Sequence, residues 1–548
     1  METRLRFSTK HPKVKSPLEG PMTSMRLSEP FKKSSDTTIR SAFHEARLAS
    51  RKLRETTVKS RLKKLALLKK VIAKSQKDIV DRITKETGKS MGDAIGSEII
   101  GTIETLNFLI KQAPSALKDE KITTPLLLMG KPSAIYYEPR GVVLMITPWN
   151  YPFYQAIVPA LFSYVAGNAT IIKPSEYTPL TGLIENLLSL AEFKREDIQI
   201  LYGDGETAAK AIQEKPNYIS FTGSLETGKK VLRAANEFLI PTEIELGGKD
   251  PMIVFKDIDF DRTIAGAVWG SFTTAGQSCT SIERILVEST IYPEFLDRFL
   301  EYINTLQYNQ EDQLNLDMGE ITNWDQIQKI HRLVKDAESK GANIVLGGDW
   351  DGLGLTYPPT VITDVTSEMD ICHEEIFGPV VVLETFHQEK EAIRKANDSQ
   401  FGLSASIWTK NKAQANRVAR QLETGNISIN NVMLTEGNSA LPFGGTKLSG
   451  IGKIKGVQGL RNLCNAKSVM IDKQSKKIEA NWYPYSPIKF QLFQNLVTGL
   501  TRGLLHFAAA GLKLEQIAQK KRADLIAAAE QEKAATTSTP QSEPSVGL

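Results

Sequence analysis

The strongest constraint on this chain is a run of short apolar segments that alternates with helical ones between residues 142 and 246. Residues 142–146 are continuously apolar, which suits a strand buried on both faces of a parallel sheet. Residues 153–165 read as a helix that stops where Gly167 can adopt a left-handed cap. Further strands are expected at 169–172, 199–202, 218–221 and 242–246, with helices at 183–190, around Ala208 and at 227–235. Five strands alternating with helices require right-handed crossovers, hence an α/β fold with a doubly wound sheet. Nucleotides bind such sheets at the carboxyl ends of the strands. The second half repeats the alternation less regularly. It has expected strands at 285–287, 361–362, 380–383, 404–408 and 427–429, and helices at 294–306, 326–339, 390–396 and 413–422. We read it as a second α/β domain.

The flanks differ in character. Residues 1–36, rich in Lys, Arg and Pro, read as a disordered basic arm. The prolines at 12, 17, 21 and 30 argue against the amphipathic helix of a transit peptide. From 37 to 118 the pattern is helical, with Leu65, Leu67, Leu68, Val71, Ile72 and Ile79 recurring between Lys and Arg. Residues 121–140 suit a hairpin or extended arm. Residues 481–548 form a tail with an amphipathic helix and a disordered end, a low-complexity stretch of Ala, Thr, Ser and Glu. A chain of 548 residues exceeds one core, so two or three domains are expected. The net charge of +5 is too small in such a chain to argue for a nucleic-acid partner. Three distant cysteines with no CxxC pair make neither a disulfide framework nor a zinc site, and no other metal site is expected. They suit a reducing compartment, and no secretory signal or run of 18 apolar residues is seen. A cytoplasmic location is therefore expected.

Two stretches carry candidate chemistry. Glu243-Ile244-Glu245-Leu246-Gly247-Gly248-Lys249 offers a carboxylate, and Gly276-Gln277-Ser278-Cys279-Thr280 offers a thiol. A thiolate is a nucleophile, and a carboxylate can take a proton from water. Such a pair can form a thioester and hydrolyse it, although an isolated cysteine is more often a small buried hydrophobe. Phe221-Thr222-Gly223-Ser224, with Gly228 beyond, leaves a strand and enters a helix. Its glycines let backbone N–H groups approach a pyrophosphate, or it is a plain strand-to-helix turn. At the end of another strand, Lys173 can hold ribose hydroxyls and Glu176 can accept from a ribose 2′-OH while repelling a 2′-phosphate; the alternative is a solvated charged turn. Asn150, at the carboxyl end of the 142–146 strand, can donate to an oxyanion or cap a proline-rich turn. Glu375 and Phe377 can grip a nicotinamide ribose and ring, or merely lead into the strand at 380.

Taken in this order, the motifs from 37 to about 472 resemble the NAD(P)-dependent aldehyde dehydrogenase superfamily. The matching segments begin at Thr147-Pro148-Trp149-Asn150, Ile172-Lys173-Pro174-Ser175-Glu176, Phe221-Thr222-Gly223-Ser224, Glu245-Leu246-Gly247-Gly248-Lys249 and Gly276-Gln277-Ser278-Cys279. They continue with Glu374-Glu375-Ile376-Phe377-Gly378-Pro379, Asn430-Asn431 and the stretch from Pro442-Phe443-Gly444-Gly445 to Ser449-Gly450. The resemblance implies a cofactor domain over 37–120 and 141–246, a catalytic domain over 247–445, and an arm over 121–140 and 465–473 that pairs subunits as dimers or tetramers. It places the nucleophile on Cys279, the general base on Glu245 and the oxyanion donor on Asn150. NAD, with NADP as the alternative, would be held by Lys173, Glu176, Gly223, Gly228, Glu375 and Phe377, with Ile146, Trp149, Ser175, Thr222, Ser224 and Leu246 beside them. The expected reaction is oxidation of a small-molecule aldehyde to its carboxylic acid.

Some residues depart from the common pattern. Pro159 stands where many members carry Lys, and Trp482-Tyr483-Pro484-Tyr485-Ser486-Pro487 resembles the class 3, fatty-aldehyde-like branch. A medium or long-chain aliphatic aldehyde is therefore expected, with a semialdehyde or other small aldehyde as the alternative. Three remoter readings are a CoA-acylating dehydrogenase, a cofactor-free cysteine hydrolase and an inactive scaffold. Glu245 argues against the first, the lack of any histidine motif against the second, and the intact Cys279, Glu245 and Asn150 against the third. In the tail, residues 489–514 hold no acidic residue. Phe490, Phe493, Leu496, Val497, Leu500, Leu504, Phe507 and Leu512 fall largely at helical spacing, with basic residues at Lys489, Arg502 and Lys513. This helix either packs on the enzyme or lies in a membrane interface.

Overall fold

The computed structural model describes residues 31–125, 128, 130–308, 310, 312–472, 479, 481–502 and 504–537. The chain divides into two compact units, Met1–Glu120 with Ile135–Lys467, and Lys121–Ala134 with Ser468–Leu548. The first unit holds two α/β sheets.

The six-stranded sheet runs in the order Gly450–Ile451, Thr242–Glu245, Tyr218–Thr222, Val142–Ile146, Ala169–Lys173, Ile198–Ile200. All neighbours are parallel except Gly450–Ile451, which pairs antiparallel with Thr242–Glu245. From Val142–Ile146 the chain winds outward through Ala169–Lys173 and Ile198–Ile200. It then returns to the opposite side of Val142–Ile146 through Tyr218–Thr222. The reversal leaves a crevice at the carboxyl ends of Val142–Ile146 and Tyr218–Thr222, where an open α/β sheet takes its ligand. All five residues of Val142–Ile146 are buried, as a strand covered by helices on both faces requires.

Helices Asp36–Arg54, Val58–Lys74 and Gln76–Thr87 belong to this half. Leu65, Leu68, Ile72 and Ile79 are buried in its core, with Leu67 and Val71 half-buried against it. The basic arm expected over 1–36 has an anchored end. The Ser34 N–H donates to the Tyr202 carbonyl at 2.8 Å, and Lys33 pairs with Asp204 and Glu206. Ser35 caps the first helix, accepting from the Thr38 N–H. The remainder of that arm, residues 1–30, lies outside the described residues.

The seven-stranded sheet runs Asn343–Leu346, Thr360–Thr363, Val380–Phe386, Ile282–Glu288, Asp250–Val254, Ser404–Trp408, Asn426–Ile429. It is parallel but for its antiparallel edge, Asn343–Leu346. Asp250–Val254 is an inner strand and fully buried, yet its proline and flanking charges disguise it in the sequence. The ladder shifts register between Asp250 and Pro251, where proline has no N–H to donate. Helix Phe260–Phe272 is likewise unannounced, because Gly266 and Gly270 interrupt its pattern. Both glycines are needed there. A side chain at Gly266 would meet the Trp408 ring at 2.7 Å, and one at Gly270 would meet Ile282 at 2.5 Å.

A three-stranded sheet is ordered Glu120–Ile122, Ser133–Pro139, Cys464–Met470. Within the second unit, Lys131 pairs with Asp472 and Glu479, and the Ile471 N–H donates to the Pro132 carbonyl. Residue 473, the expected end of the return strand, lies outside the described residues. Helix Pro487–Arg502 packs on helix Leu504–Thr537. The disordered end expected of the tail is therefore helical through Thr537, because its run of Ala, Glu, Gln and Lys is rich in strong helix formers. Residues 538–548 and Gly503 lie outside the described residues, as do the side chains of Leu504 and Phe507. Among the described residues no helix is long and apolar enough to cross a membrane.

Candidate active site

The two stretches that carry the carboxylate and the thiol meet. Strand Thr242–Glu245 ends in Leu246-Gly247-Gly248 and feeds directly into Asp250–Val254, while Cys279 immediately precedes Ile282–Glu288. A side chain on Gly248 would stand 2.9 Å from the Cys279 carbonyl, so the glycine permits the approach. Glu245 is clamped from both sides. Its carbonyl accepts from the Gly223 N–H at 3.1 Å, and the next N–H, of Leu246, donates to the Ser449 carbonyl at 3.0 Å.

The turn before Cys279 is strained and over-determined. Thr274, Ala275 and Gly276 have φ of 53°, 54° and 68°. Gly276 cannot be replaced, since a side chain would fall 2.1 Å from the Gly378 carbonyl oxygen. Asp93 holds the turn, accepting from the Thr273 hydroxyl and the Thr274 N–H at 2.8 Å each. The Gln277 amide donates to the Thr274 and Glu320 carbonyls and accepts from the Thr322 N–H.

Asn150 joins this turn. Its amide donates to the Gln277 carbonyl at 3.0 Å, which orients the group and leaves its second N–H to face a ligand. Behind it, Lys89 donates to the Asn150 carbonyl at 2.7 Å and forms a fully buried ion pair with Glu98 at 2.7 Å. Glu98 in turn accepts from the Phe153 and Tyr154 N–H groups at the start of helix Pro152–Ala166.

A cavity of about 120 Å³ collects Asn150, Glu245 and Cys279. Trp149, Thr222, Gly223, Ser224, Leu246, Glu375 and Phe377 also line it. Ile146, Lys173, Ser175, Glu176 and Gly228 do not. Ile146 and Lys173 are register partners at the ends of adjacent strands, and Lys173 pairs with Glu176 at 3.0 Å. Ser175 accepts from the Tyr177 N–H, and Gly228 packs under Leu246.

These residues fit a dinucleotide. Ser224 caps helix Leu225–Asn236 at the carboxyl end of a strand, so the helix N-terminus opens at the crevice. A side chain at Gly223 would strike the Phe221 ring at 2.7 Å, and one at Gly228 would strike Leu246 at 2.6 Å, so both backbones stay bare. Trp149 and Phe377 stand edge to face 5.3 Å apart.

The electrostatics favour protonated forms. Burial, then the nearby Glu436 and Glu375 carboxylates, push Glu245 well above the usual carboxylate range. Neither of its oxygens has a formed hydrogen bond; Lys455 and the Cys279 thiol oppose the shift. Burial, then the Glu245 and Glu436 charges, push the Cys279 thiol up as well. Glu375, whose carboxylate accepts from the Gly248 N–H, is pushed up to about 7 by burial.

Several supporting residues carried no signal in the sequence. Gln326 and Lys329 line the cavity from helix Trp324–Ser339, and the Gln326 amide donates to the Ile376 and Phe377 carbonyls. Glu283 pairs with buried Lys249 at 3.0 Å and accepts from the Ile376 and Phe377 N–H groups, which sets the loop that carries Glu375 and Phe377. Gln155 and Glu436 are of the same kind, having no motif around them. No histidine lines the cavity, and His373 is instead bonded to the Ser367 carbonyl.

Comparison with known proteins gives a consistent result. The model of the aldehyde dehydrogenase family matches residues 14–469. A relative from Methylomonas sp, named 4,4'-diapolycopene aldehyde oxidase, is 36% identical over 484 residues, 88% of this chain and 90% of its own. A putative NADP(+) succinate-semialdehyde dehydrogenase from Mycolicibacterium smegmatis is 33% identical, over 85% of this chain and 90% of its own. The structure of betaine aldehyde dehydrogenase from Staphylococcus aureus in complex with NAD+ superposes with a TM-score of 0.75 at 32% identity, over 83% of this chain and 90% of that one.

Proposed function

Because the chain belongs to the aldehyde dehydrogenase family, and so is an NAD(P)-dependent oxidoreductase acting on aldehydes, we propose that it works through a thioester on Cys279 that Glu245 discharges. The observation that carries this reading is the meeting of Cys279, Glu245 and Asn150 in one cavity. The thiolate adds to the aldehyde carbonyl. The Asn150 amide and the Cys279 N–H stabilise the resulting oxyanion. The bound cofactor supplies the hydride acceptor that collapse to the thioester needs. Glu245 takes a proton from water, whose oxygen adds to the thioester carbonyl; the C–S bond then breaks, which returns Cys279 as the thiolate and releases the carboxylic acid. Burial raises its proton affinity, so Glu245 acts as the base in the fraction of sites where it has already released its proton. Lys173 and Glu176 hold the adenosine ribose, and the Glu176 carboxylate makes NAD the preferred cofactor.

For the substrate we favour a medium or long-chain aliphatic aldehyde, as in the fatty-aldehyde-like branch. A groove of about 810 Å³, lined in part by Phe108, Ile427, Ile429, Leu434 and Leu441, supports a large apolar substrate. Its loop touches the site, since the Thr280 hydroxyl donates to Glu436 at 2.7 Å. The relative named for a diapolycopene aldehyde points the same way, and the one named for succinate semialdehyde favours the smaller alternative. The protein works as a homodimer or homotetramer. Helix Pro487–Arg502 rests on a membrane surface in this reading, because Phe490, Val497 and Leu500 form an exposed apolar stripe along it. The test of the function is a panel of aldehydes with NAD and NADP, with and without CoA, followed by the absorbance of reduced nicotinamide. NAD-linked, CoA-independent turnover that rises with chain length is expected. Turnover only with CoA rejects hydrolysis by Glu245.

A further inference from the structure

Glu436 has no part in the chemistry above, yet its carboxylate bonds the residue that follows the nucleophile. It lies on the short helix Leu434–Gly437, entered through Met433 with a left-handed φ of 53°. Buried Lys455 donates to the Glu436 backbone carbonyl at 2.8 Å, so the helix is held by its main chain and the carboxylate stays available. That carboxylate accepts from the hydroxyl of Thr280, the residue that follows Cys279. Residues on both sides of Glu436 line the large groove, whereas Glu375 lines the cofactor-side cavity and Asp250 is tied to the Ser404 N–H. Glu436 itself is not among the residues that line the groove; its carboxylate faces Thr280, beside the thiol.

Resting on the reading of Cys279 as nucleophile, we infer that Glu436 sets the charge specificity of the site, rejecting aldehydes that carry a carboxylate and admitting neutral or cationic ones. An anionic aldehyde that brings its carbonyl to Cys279 brings its own charge into the field of Glu436, which bonds the residue next to the thiol. In a partly buried setting of reduced dielectric, like charges several ångströms apart repel strongly enough to alter rates by roughly tenfold or more. The field of Glu436 already reaches the thiol and Glu245, raising the proton affinity of both.

The test uses the full-length protein and two matched pairs of probes. Butanal and the four-carbon semialdehyde with a terminal carboxylate compare a neutral and an anionic substrate. Iodoacetamide and iodoacetate make the same comparison by alkylation of Cys279, followed on its peptide without any cofactor. Taking the ratio within each pair cancels any change in thiol reactivity. In the wild type the neutral probe is favoured in both pairs. Glu436→Gln should shrink both ratios by roughly tenfold, and Glu436→Asp, which keeps the charge, should retain most of the preference. Ratios that are the same in wild type and Glu436→Gln overturn the inference. If the wild type oxidises neither aldehyde, the dehydrogenase reading fails, and the alkylation ratio alone decides for or against Glu436.

Discussion

At Cys279 the physical problem is ionisation. The thiol is buried among carboxylates that raise its proton affinity, so a nucleophile must be made in a setting that opposes negative charge. Cys279 is the one thiol among the residues that line the cavity, and the Thr222 and Ser224 hydroxyls there are far weaker nucleophiles. Cys279→Ala should therefore lower kcat/KM by at least roughly a thousandfold while nucleotide binding, read by calorimetry, is retained. Measurable turnover would reject the covalent route. At the carboxyl end of Ala169–Lys173, where we propose that the adenosine ribose is held, Glu176 meets Lys173 in an ion pair rather than pointing alone into solvent. Glu176→Ser should raise kcat/KM with NADP relative to NAD, because it removes the charge that repels a 2′-phosphate. A wild type that already prefers NADP would contradict this role.

The strand Thr242–Glu245 carries two buried carboxyls on one face, two residues apart. Glu245 looks into the cavity, and Glu243 is the other. Burial pushes Glu243 from its ordinary 4.5 up to about 8, against weak contacts from Tyr218 and Ser220. Between those two values the folded chain keeps a proton that the unfolded chain has released. The stability from this group is complete below about pH 4.5 and is lost as pH rises through about 8. Glu243→Gln should flatten the dependence of unfolding free energy on pH across that window, a change on the order of a few kcal/mol at its alkaline end. An unchanged profile from chemical denaturation would show that Glu243 is not the group responsible. Val142–Ile146, an uninterrupted apolar run, and Ser404–Trp408, where small serines alternate with apolar residues, are legible in the sequence to the residue. Asp250–Val254 and Phe260–Phe272 are not, because a proline and two glycines serve close packing that only the fold explains. The motif residues of the site are legible for the same local reason. Lys89, Asp93, Glu98 and Glu283 are not, since charged residues in such stretches read as a solvated face, whereas here Lys89, Glu98 and Glu283 are buried, Asp93 is half-buried, and each has a partner far along the chain.

On the scale of the whole molecule, the catalytic unit and the unit bearing the C-terminal helices pose separate questions. The full-length protein should sediment with vesicles of anionic lipid, and a chain ending at Pro487 should not, while still oxidising short aldehydes. If both forms remain in the supernatant, the stripe of Phe490, Val497 and Leu500 covers protein instead. What Cys279 holds in mid-reaction is read directly by the intact mass of the full-length Glu245→Gln protein. Mixed with NAD and a long-chain aldehyde and quenched in acid after one turnover, this variant should release about one equivalent of NADH per site. It should also gain the mass of one acyl group, mapped to the peptide of Cys279. A burst of NADH with no acyl adduct, or an adduct on any residue other than Cys279, would contradict a thioester discharged by Glu245.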